Sequence, residues 1–401
     1  MSIIPPELFT CPISLDLFTD PVTLSTGQTY DRPFITKWFS SGNLTCPVTM
    51  QKLTDLSLVP NHTLRHLIDR WLETGDHRSK GRYSCPDGYL DELRIRIECE
   101  KDSGIEQKLK LVKEAREMVR DVIAGRYDHR LAQSGILESL MEFVIAPRCE
   151  FCEGFVEEVL ETVVELVPFV SDFGCLSCMI VKEPYMGCFV VLLVNGSGLI
   201  KIRLCHLIEA MAVSPSASSL EVLESESVIK GVISVSHCHD LEVSGSGVKA
   251  ISQVCMIRSC LEILVQENAI DALIGYILRA QRVEKNGAVG LAMRAIELLI
   301  LDEVFGNVAK ESLLRNPNGV QVLVKMVFRV SDHEGSDSAM NCLFSLCYES
   351  MEAGEEAIEL GVLTQLLLLL QSQCSEWSKN KARMLLKLLG SMWDKRTQIH
   401  V

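Results

Sequence analysis

Cys11 and Cys46 stand in two echoing stretches, FTCPISLDLF from Phe9 to Phe18 and LTCPVTMQKL from Leu44 to Leu53. Each has a Thr-Cys-Pro step followed by a β-branched apolar residue, the paired-loop pattern that zinc modules use to clamp a metal. A cross-brace module needs two complete tetrahedral ligand sets. Residues 1–75 offer only Cys11, Cys46, His62 and His66, with no Cys-x-x-Cys pair. A RING-type zinc centre is therefore excluded on ligand count. The same loop, helix and loop arrangement can be held instead by hydrogen bonds and ion pairs, provided each polar group finds a partner. Asp16, Asp20, Thr23, Gln28, Tyr30, Asp31, Arg32, Gln51 and Asn61 supply such groups.

Other reactive side chains point to less. Cys149, Cys152, Cys175 and Cys178 form two Cys-x-x-Cys pairs in the manner of a zinc ribbon. The residues between the pairs include FVEEVLETVVELVPFV, however, whose apolar spacing is that of a helix and not of ribbon strands. His237, Cys238 and His239 have no partner pair in the sequence and read as a helix end or turn. Cys374 has no neighbouring His or basic cluster to activate it as a nucleophile.

The chain must position these residues with 401 residues that are 47% hydrophobic, enough for one large core or two smaller ones. Its 39 basic and 53 acidic residues leave a net charge of −14, which excludes a broad phosphate-binding surface and hence a nucleic-acid partner. The N-terminus, MSIIPPELFT, lacks a basic region followed by an apolar run, so the 16 cysteines read as reduced intracellular thiols. No apolar run approaches the ~18 residues that would span a bilayer.

Residues 1–75 are rich in turns, aromatic residues and prolines; 76–84 form a polar linker; 85–401 are dominated by Leu, Val, Ile and Glu in helical spacing. In the first region DPVTLSTGQTYDR predicts two short strands turned at Ser25-Thr26-Gly27, with Val22, Leu24 and Tyr30 on one face. Asp31 then caps a helix with Pro33 in its first turn and a buried stripe of Phe34, Ile35, Trp38 and Phe39, ended by Gly42. A second helix starts at Asn61, buries Leu64, Leu67, Ile68, Trp71 and Leu72, and stops at Gly75.

The second region repeats. SGILESL, ENAIDAL, PNGVQVL and LGVLTQL align at positions 135, 268, 318 and 361, each closing on a leucine five residues later. A second column, AIELL, CLFSL and LLKLL, starts at 295, 342 and 385. Two weaker copies are expected around Ile202–Met211 and Val228–Val235. Helical repeats of about 40–47 residues are the armadillo and HEAT signature, in which each unit buries its apolar face only against its neighbours.

The segment from IPPELFTCPIS to TLRHLIDRW resembles a U-box, the metal-free relative of the RING domain, through CPIS, DPV, TGQTYDR, the KW pair, TCP and PNHTLRHLI. Followed by armadillo repeats, the chain is similar to plant U-box ubiquitin ligases. The resemblance implies an α+β U-box ahead of an all-α armadillo superhelix, with no cofactor, no metal and no catalytic nucleophile. It implies a protein that holds a ubiquitin-conjugating enzyme, loaded with thioester-linked ubiquitin, near a substrate lysine. Its leverage would be proximity and orientation. By analogy the conjugating enzyme docks on Ile13 and Leu15 in the first loop, Trp38 on the helix and Pro47 in the second loop. Asp20, Tyr30, Asp31, Arg32 and Asn61 form the structural polar network. Many relatives brace the ubiquitin with a basic residue three positions after the second-loop proline; here that position is Met50, leaving Gln51 and Lys52 as candidates. The armadillo region would recruit protein substrates, kinases and other signalling proteins of stress and immune responses among them. The expected compartment is the cytoplasm, with the nucleus and the plasma-membrane periphery left open. The alternative is an interaction scaffold with an inactive U-box, which only Met50 favours.

Overall fold

The computed structural model describes residues 9–14, 18, 20–40, 43–53, 55–61, 64, 89–101, 103–123, 135–146, 152–170, 172–213, 215–280, 288–329 and 332–399. The chain divides into two compact units, one formed by residues 1–89 with 121–128 and the other by 90–120 with 129–401.

The first unit is built on a three-stranded antiparallel sheet in the order β2-β1-β3, with β1 Pro21–Thr23, β2 Thr29–Asp31 and β3 Val59–Pro60. β1 and β2 pair Val22 with Tyr30 and are joined through Gly27, whose φ of 80° is the left-handed conformation that glycine adopts without Cβ strain. The predicted inward face is correct: Val22, Leu24 and Tyr30 are all buried. Helix α1, Arg32–Ser40, follows directly with Pro33 in its first turn. Its apolar stripe is narrower than the sequence suggests. Ile35 is fully buried, Trp38 and Phe39 are half-buried, and Phe34 is exposed. Among the described residues the buried core is Cys11, Phe18, Val22, Leu24, Tyr30, Ile35, Cys46 and Leu53, and Ile35 is the one member this helix supplies. Of the expected second helix only Asn61 and Leu64 are described, and the 76–84 linker also lies outside the described residues.

The second unit is helical throughout its described residues. After α2 (Tyr89–Cys99) and α3 (Ile105–Ile123) come α4 (Ile136–Ile145) and α5 (Glu153–Leu166), then five triplets. These are α6 to α8 (Gly174–Ile180, Tyr185–Asn195, Gly198–Val213) and α9 to α11 (Ala217–Leu223, Glu226–Ser236, Leu241–Val254). They continue with α12 to α14 (Arg258–Gln266, Ala269–Ala280, Ala288–Leu301), α15 to α17 (Gly306–Arg315, Gly319–Met326, His333–Glu349) and α18 to α20 (Met351–Glu359, Val362–Gln371, Glu376–Ile399). Second helices α4, α7, α10, α13, α16 and α19 pack in one row, and third helices α5, α8, α11, α14, α17 and α20 in another.

The aligned sequence columns have a structural cause. The first marks the turn into each second helix: Gly135, Asn268 and Gly361 all have positive φ, between 59° and 87°. A left-handed residue reverses the chain in one step, which glycine and asparagine tolerate best. At the fourth copy Asn318 is not left-handed (φ −109°), and a close approach does the work instead: a Cβ on Gly319 would sit 2.1 Å from the Leu313 carbonyl oxygen. The closing leucines Leu140, Leu273, Leu323 and Leu366 are each 0% exposed. The expected weak copy at Val228–Val235 is the second helix α10. Ile202–Met211, by contrast, lies in the third helix α8; the second helix of its triplet is α7. Helix α8 is packed by both α5 and α11, so it is apolar on two sides and imitates a second helix in sequence.

Gly361→Ala is expected to destabilise the protein by about 1–2 kcal/mol, since alanine must enter the left-handed region, whereas Asn268→Gly should be close to neutral. Denaturant titration of both variants checks this.

Candidate docking site on the first unit

The echoing stretches fold as two matching loops. Phe18 N donates to Phe9 O at 3.0 Å, and Leu53 N donates to Leu44 O at 2.9 Å, so each stretch is closed by a bond between its first and last residues. Cys46 N to Gln51 O and Met50 N to Cys46 O, both 2.9 Å, tighten the second loop. Both cysteines point inward and are 0% exposed.

Neighbouring residues of β2 reach the two thiols. Asp31 N donates to Cys11 Sγ at 3.3 Å, and the Tyr30 hydroxyl lies 3.0 Å from Cys46 Sγ. That hydroxyl also accepts from Val48 N at 3.1 Å, which leaves its own proton for the sulfur. Burial alone would push the Cys46 thiol up. Hydrogen bonds from the Thr26, Thr49 and Tyr30 hydroxyls and from the Thr49 backbone outweigh it and bring the group down to about 6. Tyr30 is pushed well up, first by burial and then by its bond to Cys46. In the helical unit, by contrast, burial raises the thiols of Cys205 and Cys347 to about 12.

The remaining polar residues tie loop, sheet and helix together. The buried Asp31 carboxylate accepts from Asp20 N at 2.6 Å, and Arg32 Nε donates to Asp20 Oδ2 at 2.6 Å across the surface. Asn61 Nδ2 donates to the Thr23 and Thr29 hydroxyls at 3.3 and 3.4 Å, and Asn61 Oδ1 accepts from Leu64 N at 3.0 Å. Asp20, Asp31 and Arg32 thus meet in one place, Tyr30 at the second loop and Asn61 on the outer side of the β1–β2 pair.

Ile13, Trp38 and Pro47 are half-buried, and Leu15 lies outside the described residues. Ile13 and Trp38 rest against the core, and the Trp38 indole donates to Thr45 O at 2.8 Å, fixing the helix to the second loop. Val48 and Leu44 are exposed apolar residues of the same unit that sequence reading did not single out, and Phe34 and Met50 are exposed as well. The readable signal was apolar side chains in a proline-bearing turn, where little core is in reach. Met50 is 71% exposed with φ 58°, and Gln51 and Lys52 are exposed beside it.

Among the described residues no group of three or more His, Cys, Asp or Glu side chains is placed to hold a metal ion. Cys175 and Cys178 are exposed on α6, Cys238 and His239 follow the end of α11's predecessor α10, and Cys374 Sγ donates to Leu369 O at 3.4 Å. Cys149 is outside the described residues. No single helix there is long and apolar enough to cross a membrane.

The U-box domain family matches residues 4–77, and the family described as the plant U-box protein ARM repeat region matches residues 98–401. The chain belongs to the plant U-box armadillo proteins. It is 32% identical to U-box domain-containing protein 26 of Arabidopsis thaliana, over 98% of this chain and 94% of that protein. It is 26% identical to the E3 ubiquitin-protein ligase PUB23 of the same plant, over 97% and 93% of the two chains. An engineered protein of known structure, 15% identical, shares the fold with a TM-score of 0.55 over 74% of this chain and 68% of its own. The fold is thus an N-terminal U-box with a small sheet, then an armadillo superhelix. The U-box is closed by hydrogen bonds to cysteine sulfur at positions where echoing loops would suggest metal ligands.

Tyr30→Phe is expected to cost about 1–3 kcal/mol, because the buried Cys46 sulfur loses a hydroxyl donor and Val48 N–H loses its acceptor. Cys46 has a folded value near 6, below its ordinary 9.0. Its contribution to stability is therefore complete above pH 9 and lost as pH falls through 6. The difference in unfolding free energy between wild type and Cys46→Ala should grow across that window, and chemical denaturation at stepped pH measures it.

Proposed function

We propose that the protein is a U-box E3 ubiquitin ligase. Its U-box docks a ubiquitin-conjugating enzyme on the surface around Ile13, Leu15, Trp38 and Pro47, and its armadillo repeats recruit protein substrates. The observation that carries this reading is a surface of half-buried and exposed apolar side chains on two hydrogen-bonded loops and the helix between them. Such a surface on a small rigid unit suits a partner. Its work would be to hold the ubiquitin thioester close to a target lysine, with no covalent intermediate on this chain. Membership of a family that includes a named E3 ligase supports the same reading.

Target choice is assigned to the repeats. On third helices α17 and α20, Lys381 Nζ lies 5.2 Å above the Phe344 ring and 5.9 Å above the Trp377 ring, and Tyr348 stacks beside Phe344. Exposed aromatic side chains of this kind are typical anchors for a protein ligand. The second reading is a scaffold with an inactive U-box. Met50 favours it, because an exposed apolar side chain stands at the position where the resemblance to RING and U-box ligases would put a ubiquitin-bracing cation.

Ubiquitination in vitro with a panel of conjugating enzymes separates the two readings: chain formation supports the ligase, and inactivity with every enzyme supports the scaffold. In the same assay Ile13→Ala should weaken enzyme binding by about 1–3 kcal/mol with little change in melting temperature. Trp38→Ala should lose both activity and about 1–3 kcal/mol of stability, since it also ties the helix to Thr45. An Ile13→Ala protein that binds and ubiquitinates normally would remove this surface as the docking site.

A further inference from the structure

The second helices of the repeats carry a stripe at the positions three before, one after and four after the closing leucine. In α13 these are Ile270, Ile274 and Ile277, and in α16 Val320, Val324 and Val327; all six are at most 3% exposed. They are buried by stacking of successive units. The same positions in α19 are Leu363, Leu367 and Leu370. Leu367 is 52% exposed, and Leu363 and Leu370 are only half-buried. Leu368, beside them, is also exposed, where α13 has Gly275 and α16 has Lys325. The third helix of this triplet differs: Arg383, 54% exposed and bonded to Glu376 and Asn380, stands where α14 and α17 have the buried Met293 and Met340. So Arg383 replaces a buried methionine on α20, while α19 leaves a stacking stripe open.

We propose that this stripe is the contact surface for a second copy of the chain, α19 against α19. Charge selects the occupant and its direction. α19 has no charged residue in Val362–Gln371, so two copies can meet there without the repulsion that a net charge of −14 imposes elsewhere. α19 packs against both α18 and α20, which also pack on each other, so these two helices border its open face. α18 carries Glu352, Glu355, Glu356 and Glu359 and no cation; from 376 to 389, α20 carries Lys379, Arg383 and Lys387 against Glu376, with Lys381 turned to Phe344 of α17. A two-fold axis running along α19 lays the acidic border of one copy on the basic border of the other and brings Leu367 to its own counterpart. An axis across α19 would set acid against acid. The pairing is isologous and closed, and it presents two U-boxes per assembly whether or not the U-box is active.

Sedimentation of the full chain across micromolar concentrations tests the proposal. Wild type should form dimers. Leu367→Glu and Leu367→Lys should each weaken the dimer at least about tenfold while leaving the helical far-UV circular dichroism signal unchanged, because the side chain is on the surface of the folded chain. An equimolar mixture of the two variants should regain a dimer containing one of each. A monomeric wild type, a dimer indifferent to both substitutions, or a mixture that fails to recover would each overturn the proposal.

Discussion

Everything in the U-box hangs on the grip of two consecutive β2 residues, Tyr30 and Asp31, on two buried cysteine sulfurs. One strand reaches the second loop with the Tyr30 side-chain hydroxyl and the first with the Asp31 backbone amide. Residues far apart in sequence are held at one place without a metal, and the loops can then present apolar side chains outward without collapsing onto them. Sulfur is a weak acceptor alone. Gathered hydroxyl donors around Cys46 make it a strong one, and the Tyr30 hydroxyl that donates there also accepts from Val48 N.

The helix between the loops depends on that frame. With its indole bonded to Thr45 O, Trp38 cannot swing into solvent or fully into the core, so its exposed edge is held at a set place beside the second loop. Such pre-organisation is what a scaffold needs when it acts by orientation alone. In the armadillo region the equivalent frame is repetition, in which each unit completes its neighbour's core. Polar bonds between adjacent third helices, such as Ser338 and Asn341 to Glu297 at 2.6 Å and Ser378 to Asp337 at 2.7 Å, fix the register in which the units stack.

Repeat geometry also separates what a helix looks like from where it sits. Helix α8 and the second helices have similar apolar content, yet α8 belongs to the third row, because periodicity reports how much of a helix is covered and not by what. The leucine run in α19 is the converse: its positions are those of a stacking stripe, but the structure leaves them open. Phe34 and Val48 follow the same logic in the U-box, where both are apolar by sequence and exposed in the structure.

By itself the sequence determined the absence of a full zinc ligand set in residues 1–75, the hairpin at Gly27, the start of α1, the repeat period and the leucines that close each second helix. These are local facts: ligand count, turn chemistry, capping and periodicity are written in neighbouring residues. Tertiary structure decided which cysteine meets which residue of β2, that Cys46 accepts from four groups, that Trp38 is shared between core and surface, and that Leu367 is open where Val324 is closed. Each of these depends on contacts between residues distant in the chain, and burial or partnership of that kind exists only once the elements have packed.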